Sequence, residues 1–446
     1  YKADAIDATK TLEAYRNGEF GRESRFLTIF DKVLALYNED LNKRGLVDFD
    51  DMIGEAERFV STGKYKNLFR AIIVDEYQDI SRARARLLEA FHTSYPDTRL
   101  LCVGDDWQSI YRFSGSDVGL MTGYEQKYPE TVRVDLDKSF RFNDRLLKAS
   151  SNFVTQNPKQ LKKEITAGKA ADGPVIHITD RSVGAILSDL AVLDENEESK
   201  IDAFVLGRFN FTDGVKESYG HFRKRGAEVS GLTVHKSKGL EADYVVVSNV
   251  ISDKYGFPSG VEDDPIISLL LPEGEEFPHG EERRLFYVAV TRAREKVWVV
   301  VPENKCPSPF VEELIKNDIY KGLVKVEKLS IDLDATCPVC TSSMIVRTNR
   351  DSRQKFLGCV HHPRCKGSWP GCSECGEGTL RREESKVICS NPDCETAARS
   401  CPICETGVLV ERIGPRSKFI GCSAYGYAGC RYTEPVKQKR DSLSPH

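Results

Sequence analysis

The spacing of apolar residues changes along this chain, and each change predicts a different kind of structure. Phe26, Ile29, Phe30, Val33, Leu34, Tyr37 and Leu41 recur at steps of three and four, which marks one face of a helix. Gly45 is its expected stop. Asp48 is placed to cap a second helix with the stripe Met52, Ile53, Ala56, Phe59 and Val60. Short apolar runs then take over: Ile72–Val74, Leu100–Val103, Val132–Leu136, Ala203–Leu206, Tyr244–Val247 and Val297–Val301. Unbroken β-branched runs such as Ile72–Val74 suit parallel strands buried on both faces. Glu281–Arg294 returns to helical spacing, with Leu285, Ala289 and Arg292 on one face. Residues 157–200 are polar and show no chemistry, 252–281 read as an insertion loop, and Pro302, Pro307 and Pro309 close the α/β region.

The runs end on chemistry. Ile72–Val74 stops at Asp75-Glu76-Tyr77-Gln78-Asp79. Ligands of open α/β sheets bind outside the carboxyl ends of the strands. Asp75 and Glu76 are therefore placed to hold a magnesium ion and activate a water; a plain acidic turn is the alternative. Leu100–Val103 leads into Gly104–Ser116, where Gln108 can orient a water or sense a phosphate. Tyr111 and Phe113 can stack on bases or fill core. Arg141, just past a strand end, pairs with a phosphate or a surface acid. The cationic loop Thr233–Glu241 can grip nucleic-acid phosphates or stay solvated; its Lys-Ser-Lys-Gly lacks the spacing of a phosphate loop. Arg292 ends a core-facing stripe, and because burying an unpaired charge is costly, it should meet an anion.

Composition narrows the class. The 446 residues suffice for about three domains. Lys plus Arg is 64 against 68 Asp plus Glu, a net charge of −4, so any nucleic-acid binding must be local. No apolar run approaches membrane-spanning length. The N-terminus is no signal peptide and lacks an initiator Met, which predicts a fragment or processed product of a cytoplasmic protein.

Of 14 cysteines, 12 follow Thr336 and form three units: Cys337, Cys340, Cys359, Cys365; Cys372, Cys375, Cys389, Cys394; and Cys401, Cys404, Cys422, Cys430. Each pairs a C-x-x-C turn with a second cysteine pair, a spacing that fits tetrahedral Zn²⁺ better than iron–sulfur or disulfides. His361 or His362 can stand in for Cys365, but the regularity of the units favours the cysteine. Phe356, Trp369, Phe419, Tyr425, Tyr427 and Tyr432 can stack on bases or pack the small units. Residues 337–446 hold 17 Lys or Arg and 11 Asp or Glu, hence +6, which twelve thiolates on three Zn²⁺ formally cancel. Placement of individual arginines, and of Lys437–Arg440 in the tail, would decide binding.

Taken together and in order, Asp-Glu-Tyr-Gln-Asp, Gly-Asp-Asp-Trp-Gln-Ser-Ile-Tyr-Arg-Phe-Ser-Gly, Phe-Arg, Thr-Val-His-Lys-Ser-Lys-Gly-Leu-Glu and Tyr-Val-Ala-Val-Thr-Arg-Ala-Arg resemble motifs II to VI of UvrD/Rep-type superfamily 1 DNA helicases, over roughly 15–315. The cysteine units resemble the C-terminal zinc ribbons of bacterial type I topoisomerases. The resemblance implies an α/β fold: two RecA-like parallel-sheet lobes, the first incomplete, followed by three small zinc ribbons. It implies a partial first lobe over 1–135, a second over 136–315, a linker at 316–335, ribbons over 336–371, 372–400 and 401–434, and a basic tail at 435–446. It also implies ATP-dependent 3′–5′ movement on single-stranded or partly duplex DNA; no membrane or protein partner is legible, and an RNA strand stays open.

At matching positions the resemblance implies that Asp75 holds Mg²⁺, Glu76 activates water and Gln108 couples the γ-phosphate to DNA. Phe140 would stack on adenine, with Gly239 and Glu241 at the nucleotide. Arg141 and Arg292 would stabilise the transferring phosphoryl. Tyr111, Arg112, Phe113, His235, Lys236 and Ser237 would contact DNA. No G-x-x-x-x-G-K-[ST] occurs in the 446 residues. The parent protein is expected to be an ATPase and this chain alone inactive; the alternative is a non-hydrolysing nucleic-acid-binding and partner-docking module.

Overall fold

The computed structural model describes residues 21–194, 201–212 and 227–436, less short breaks at 269–270, 273, 304, 328, 330, 342, 350–353, 360–361, 363–364, 377, 384–385, 392, 405–406 and 415–416. Residues 1–20, His361 and the basic tail from Lys437 lie outside the described residues.

Helix α1 (Gly21–Arg44) ends where Gly45 takes a φ of +64°, a conformation that costs glycine little. Helix α2 (Phe49–Ser61) opens on a capping box: Asp48 accepts from Asp51 N at 2.8 Å, and Asp51 accepts from Asp48 N. The apolar stripe of α1 is not core. Phe26, Ile29 and Val33 are about half exposed or more, and Leu27, off the stripe, is the buried residue. Strands β1 (Ala71–Val74) and β2 (Arg99–Cys102) pair in parallel, with helix α3 (Arg82–Ser94) crossing between them. Val74 and Cys102 pack beneath Tyr77, Ile80 and Ala85. The opposite face is bare, with Ile73 69% and Leu101 54% exposed. The run Ile72–Val74 is thus not buried on both faces, because no described layer covers the second.

Val132–Leu136 is not a strand either. Val132, Val134 and Leu136 are each over 80% exposed; the alternation is present, but no neighbouring strand pairs with it. Pairing starts one step later, where β3 (Lys138–Asn143) runs parallel to β4 (Thr166–Lys169).

The main sheet has β5 (Ile176–Thr179), β6 (Asp202–Gly207), β7 (Glu228–Thr233), β8 (Ala242–Val247), β9 (Ala293–Val300) and β10 (Val324–Val326), all parallel, in the order β10-β5-β9-β8-β6-β7. Its inner strands β5, β9, β8 and β6 carry most of the buried positions, while the edge strands β10 and β7 are largely intermediate or exposed. Val245, Val247 and Val299 share a core with helices α4 (Asp144–Val154) and α6 (Gly280–Val290). Val246 and Val300 face helix α5 (Val183–Asp194).

Three boundaries differ from expectation. Helix α6 stops at Val290, so Arg292 sits in the following turn and strand β9 begins at Ala293. The prolines do not close the α/β region: Pro309 opens helix α7 (Pro309–Lys316), which is capped by Ser308 and buries Phe310, Val311 and Leu314. The expected linker 316–335 supplies β10 to the sheet edge, and from Ile331 it forms the first ribbon strand.

The ribbons are antiparallel. They comprise β11 (Ile331–Thr336), β12 (Ser343–Thr348), β13 (Lys355–Cys359) and β14 (Ser368–Trp369); then β15 (Leu380–Glu383), β16 (Lys386–Cys389) and β17 (Ala397–Ala398); then β18 (Leu409–Ile413), β19 (Lys418–Cys422) and β20 (Thr433–Pro435). Among the described residues no helix is long and apolar enough to cross a membrane.

Candidate functional site

Asp75 and Glu76 sit at the carboxyl end of β1. Asp75 is exposed, and its Oδ1 accepts from Glu76 N at 2.8 Å. Glu76 adopts φ +51°, an uncommon backbone for a residue with a side chain. Its carboxylate is 63% exposed and accepts from Gln78 Nε2. Gln78 is fully buried and accepts from Asp105 N at 2.9 Å, so it ties the end of β1 to the loop after β2. Gly104 is required there: a Cβ would lie 2.5 Å from Gln78 Oε1.

That loop reaches across to the six-stranded unit. Gln108 donates to Asp105 Oδ2 at 2.7 Å and accepts from Arg292 Nη2 at 3.4 Å. Arg292 is 1% exposed and donates otherwise to neutral groups: Val288 O at 2.9 Å, Leu240 O at 3.2 Å and Thr291 Oγ1 at 3.3 Å. Among the described residues no carboxylate lies within ion-pair distance of it. Burial, and then the nearby Arg141 charge, depress it to about 10. Arg141 binds Glu241 at 3.0 Å, and Arg294 binds the same carboxylate at 2.9 Å. These hydrogen bonds, that from Arg294 first, hold Glu241 below the usual carboxylate range. Phe140 is 72% exposed, with Lys138 Nζ 5.1 Å from its ring centroid. A Cβ on Gly168 would meet that ring at 2.9 Å. Gly239 takes φ +82° beside open space.

Tyr111, Phe113 and His235 form one aromatic cluster, with centroids 5.4–6.0 Å apart. Burial, and then Arg208, push His235 down to about 4, so its ring is neutral at physiological pH. Lys236 is exposed at its side. Two expected DNA contacts point elsewhere. Arg112 is bound to Asp263 at 2.9 Å and to Pro272 O at 3.0 Å, both in the 252–281 loop. Ser237 is fully buried and donates to Val234 O at 2.7 Å.

Two lysines were not legible as site residues. Lys238 reaches from the loop after β7 to Asp79 at 2.5 Å, to Gln108 O at 3.0 Å and to Glu76 at 3.5 Å, beneath the Tyr111 ring. It links the acids to the aromatic cluster. Lys163, from the stretch read as empty of chemistry, pairs with Asp105 and Asp106, each at 2.5 Å, and lies over Trp107 at 4.7 Å. The signal for Lys238 was its place between His235 and Gly239; nothing local marks Lys163.

The cysteine sites are geometrically alike. Within each set of four all Sγ atoms lie within 4.8 Å of one another. The closest cross-pairs, such as Cys337–Cys365 at 3.7 Å and Cys404–Cys422 at 3.5 Å, match the edge of about 3.8 Å that a ZnS₄ tetrahedron with bonds of about 2.3 Å demands. A disulfide would need about 2.05 Å. Backbone N–H groups of Val339, Gly378, Asn391 and Ala424 donate to sulfurs, which suits thiolates. Gly367, Gly378 and Gly407 each approach a ligand so closely that a Cβ would lie 2.3 Å from Sγ of Cys337, Cys389 or Cys422. The three sites fit structural zinc.

Comparison with known proteins agrees with this layout. Residues 2–129 match the UvrD/REP helicase N-terminal domain and 194–304 the UvrD-like helicase C-terminal domain. Residues 334–370 and 398–439 match the topoisomerase DNA binding C4 zinc finger, and the middle ribbon lies between. DNA helicase IV of Escherichia coli is 36% identical over 297 residues, 66% of this chain and 43% of that protein. ATP-dependent DNA helicase PcrA of Staphylococcus epidermidis is 32% identical over 142 residues, 30% of this chain and 19% of its own length. The chain thus spans less than half of these relatives. Two regions that match helicase domains, in contact through Gln108 with Arg292 and Lys238, and followed by three Cys₄ ribbons, make this a chain of the UvrD/Rep helicase type with topoisomerase-type zinc ribbons toward its C-terminal end.

Proposed function

We propose that this chain is the part of an ATP-dependent DNA helicase that couples nucleotide hydrolysis between two lobes to 3′–5′ movement on single-stranded DNA. The observation that carries the reading is the Gln108–Arg292 contact across the cleft, in which a buried arginine without an ion-pair partner among the described residues faces the strand-end acids' side of the molecule. An incoming phosphoryl group would supply the anion that Arg292 lacks. Arg141 would join it on leaving Glu241, and fingers of this kind contribute about 10³–10⁵ in rate. Glu76, exposed and held by Gln78, accepts the proton of the attacking water. Phe140, open above Gly168, offers a face to adenine, and Glu241 with Gly239 borders the ribose.

Asp75 would hold magnesium, which would supply charge neutralisation at the phosphates. Tyr111, Phe113 and the neutral His235 stack on bases, and Lys236 meets a phosphate. Lys238 carries the link between them, because one ammonium contacts Glu76, Asp79 and the Gln108 backbone. Arg112 acts here by holding the 252–281 loop.

ATP hydrolysis with and without single-stranded DNA, beside Glu76→Gln, tests this. DNA-stimulated turnover abolished by Glu76→Gln is the expected result for a chain that includes a phosphate loop. The second reading, a non-hydrolysing nucleic-acid-binding module, is favoured by the lack of G-x-x-x-x-G-K-[ST] in the 446 residues. It predicts DNA binding with no turnover in either protein.

A further inference from the structure

The three ribbons align pair for pair. Met344 lies opposite Cys359, Leu380 opposite Cys389, and Leu409 opposite Cys422. Three pairs along the hairpin, Arg347 faces Phe356 and Arg412 faces Phe419, but in the middle ribbon Glu383 faces Lys386. The residue before the paired cysteine is Gly358, Gly421 and, in the middle ribbon, Ile388. Residues two apart on a strand share a face. The outer ribbons therefore present arginine, aromatic ring and glycine together, where the middle one has lysine and isoleucine in place of the ring and the glycine.

The glycine is what lets the arginine lie across the strand. A Cβ on Gly358 would fall 2.7 Å from Arg347 Cδ and Nε. One on Gly421 would fall 3.1 Å from Arg412 Cδ and 3.0 Å from the Phe419 ring. Arg347 Nε is buried with no acceptor among the described residues. In the third ribbon the same face opens into a pocket of about 530 Å³ lined by Arg412, Phe419, Tyr425, Arg431 and Tyr432 and floored by the metal-site residues Cys422 and Cys430, with Arg412 Nη2 donating to Cys422 O at 3.0 Å. The Arg412 guanidinium stands 6.0 Å from the centroid of Tyr425, which is 57% exposed. Arginine beside an open aromatic ring is the chemistry that takes a phosphate with its neighbouring unstacked base.

The middle ribbon has none of it. Residues 372–400 contain no aromatic side chain and hold six Asp or Glu against four Lys or Arg. Residues 337–371 hold six Lys or Arg against one acid. Yet the middle ribbon is fused to both neighbours. Leu380 N donates to Pro370 O at 2.9 Å, and Leu409 N to Arg399 O at 2.8 Å. One apolar cluster joins Leu357 and Trp369 to Leu380 and Val387, and on to Val408.

We propose that the first and third ribbons are two single-stranded DNA sites, centred on Arg347 and Arg412, held at a fixed spacing by a middle ribbon that does not touch the strand. This rests on the ribbons' reading as DNA-binding units. The test is fluorescence anisotropy of the full chain titrated into labelled oligothymidylate. Zinc content is measured for every variant, so that loss of fold is seen separately. Arg347→Ala and Arg412→Ala should each weaken binding about tenfold and reduce the slope of log affinity against log salt by about 0.7. Glu383→Ala should bind like the parent. An equal loss in Glu383→Ala, or parental binding by either arginine variant with three zinc ions retained, overturns the division of labour. A parent chain that ignores single-stranded DNA overturns the DNA reading of the ribbons and this proposal with it.

Discussion

The six-stranded unit and the ribbons solve the same problem with different materials. In the sheet, Val245, Val247, Val297, Val299 and Phe286 are each 1% exposed or less, and the core is hydrocarbon packed on both faces. In the third ribbon the core is four cysteines with Leu409 and Ala424, and partly buried Ile420 and Tyr432 beside them. A unit of about thirty residues removes too little apolar surface from water to offset its chain entropy. Metal–thiolate bonds make up the difference. The lesson is that burial alone does not rank stability: the ribbons have buried residues too, but their stability depends on an ion.

The strongest way to break this comparison is to remove the ion. Chelation at neutral pH should unfold the ribbons, each losing about 10–16 kcal/mol of metal-binding free energy, while the transition of the six-stranded unit persists in calorimetry. A single cooperative loss of both would show that the sheet leans on the ribbons. Gly407→Ala sharpens the point, since its Cβ would meet Cys422 Sγ. Metal analysis should then find two zinc ions per chain instead of three.

A smaller effect attacks the other core. Phe286 is ringed by Phe153, Phe257 and Phe310, with centroids 5.0–5.6 Å away. Phe286→Ala should cost about 3–5 kcal/mol in denaturant unfolding of the sheet unit and leave the zinc content unchanged.

The smallest effect is on pH. His235 titrates near 4 when folded and about 6.5 when unfolded, so the unfolded chain binds the extra proton between those values. Stability from this group is whole above pH ~6.5 and declines as pH falls toward 4, by about 1–3 kcal/mol. Denaturant midpoints at pH 7 and 5 should move for the parent and less for His235→Asn.

What the sequence alone determined was whatever depends on neighbours along the chain. Helical spacing and Gly45 placed α1, Asp48 placed the start of α2, and short apolar runs placed β6, β8 and β9. The C-x-x-C pairs located all three metal sites, because ligand spacing is itself local. The acids at the end of β1 could be singled out by strand-end position, Tyr111 and Phe113 by their loop and His235 only through the helicase resemblance; that the three rings touch came from the fold. Only the tertiary structure decided what depends on partners far away. Lys238 meets Asp79 across 159 positions, and Arg112 meets Asp263 across 151. Such pairs leave no periodic trace, so Lys163 went unseen, Lys238 was read only as part of a cationic loop, and Arg112 was assigned outward. The same reason explains the strands. Val132–Leu136 alternates well but has no partner, whereas Val324–Val326, in a stretch read as linker, has β5 beside it. A strand is made by its neighbour's backbone, and the neighbour is supplied by the fold.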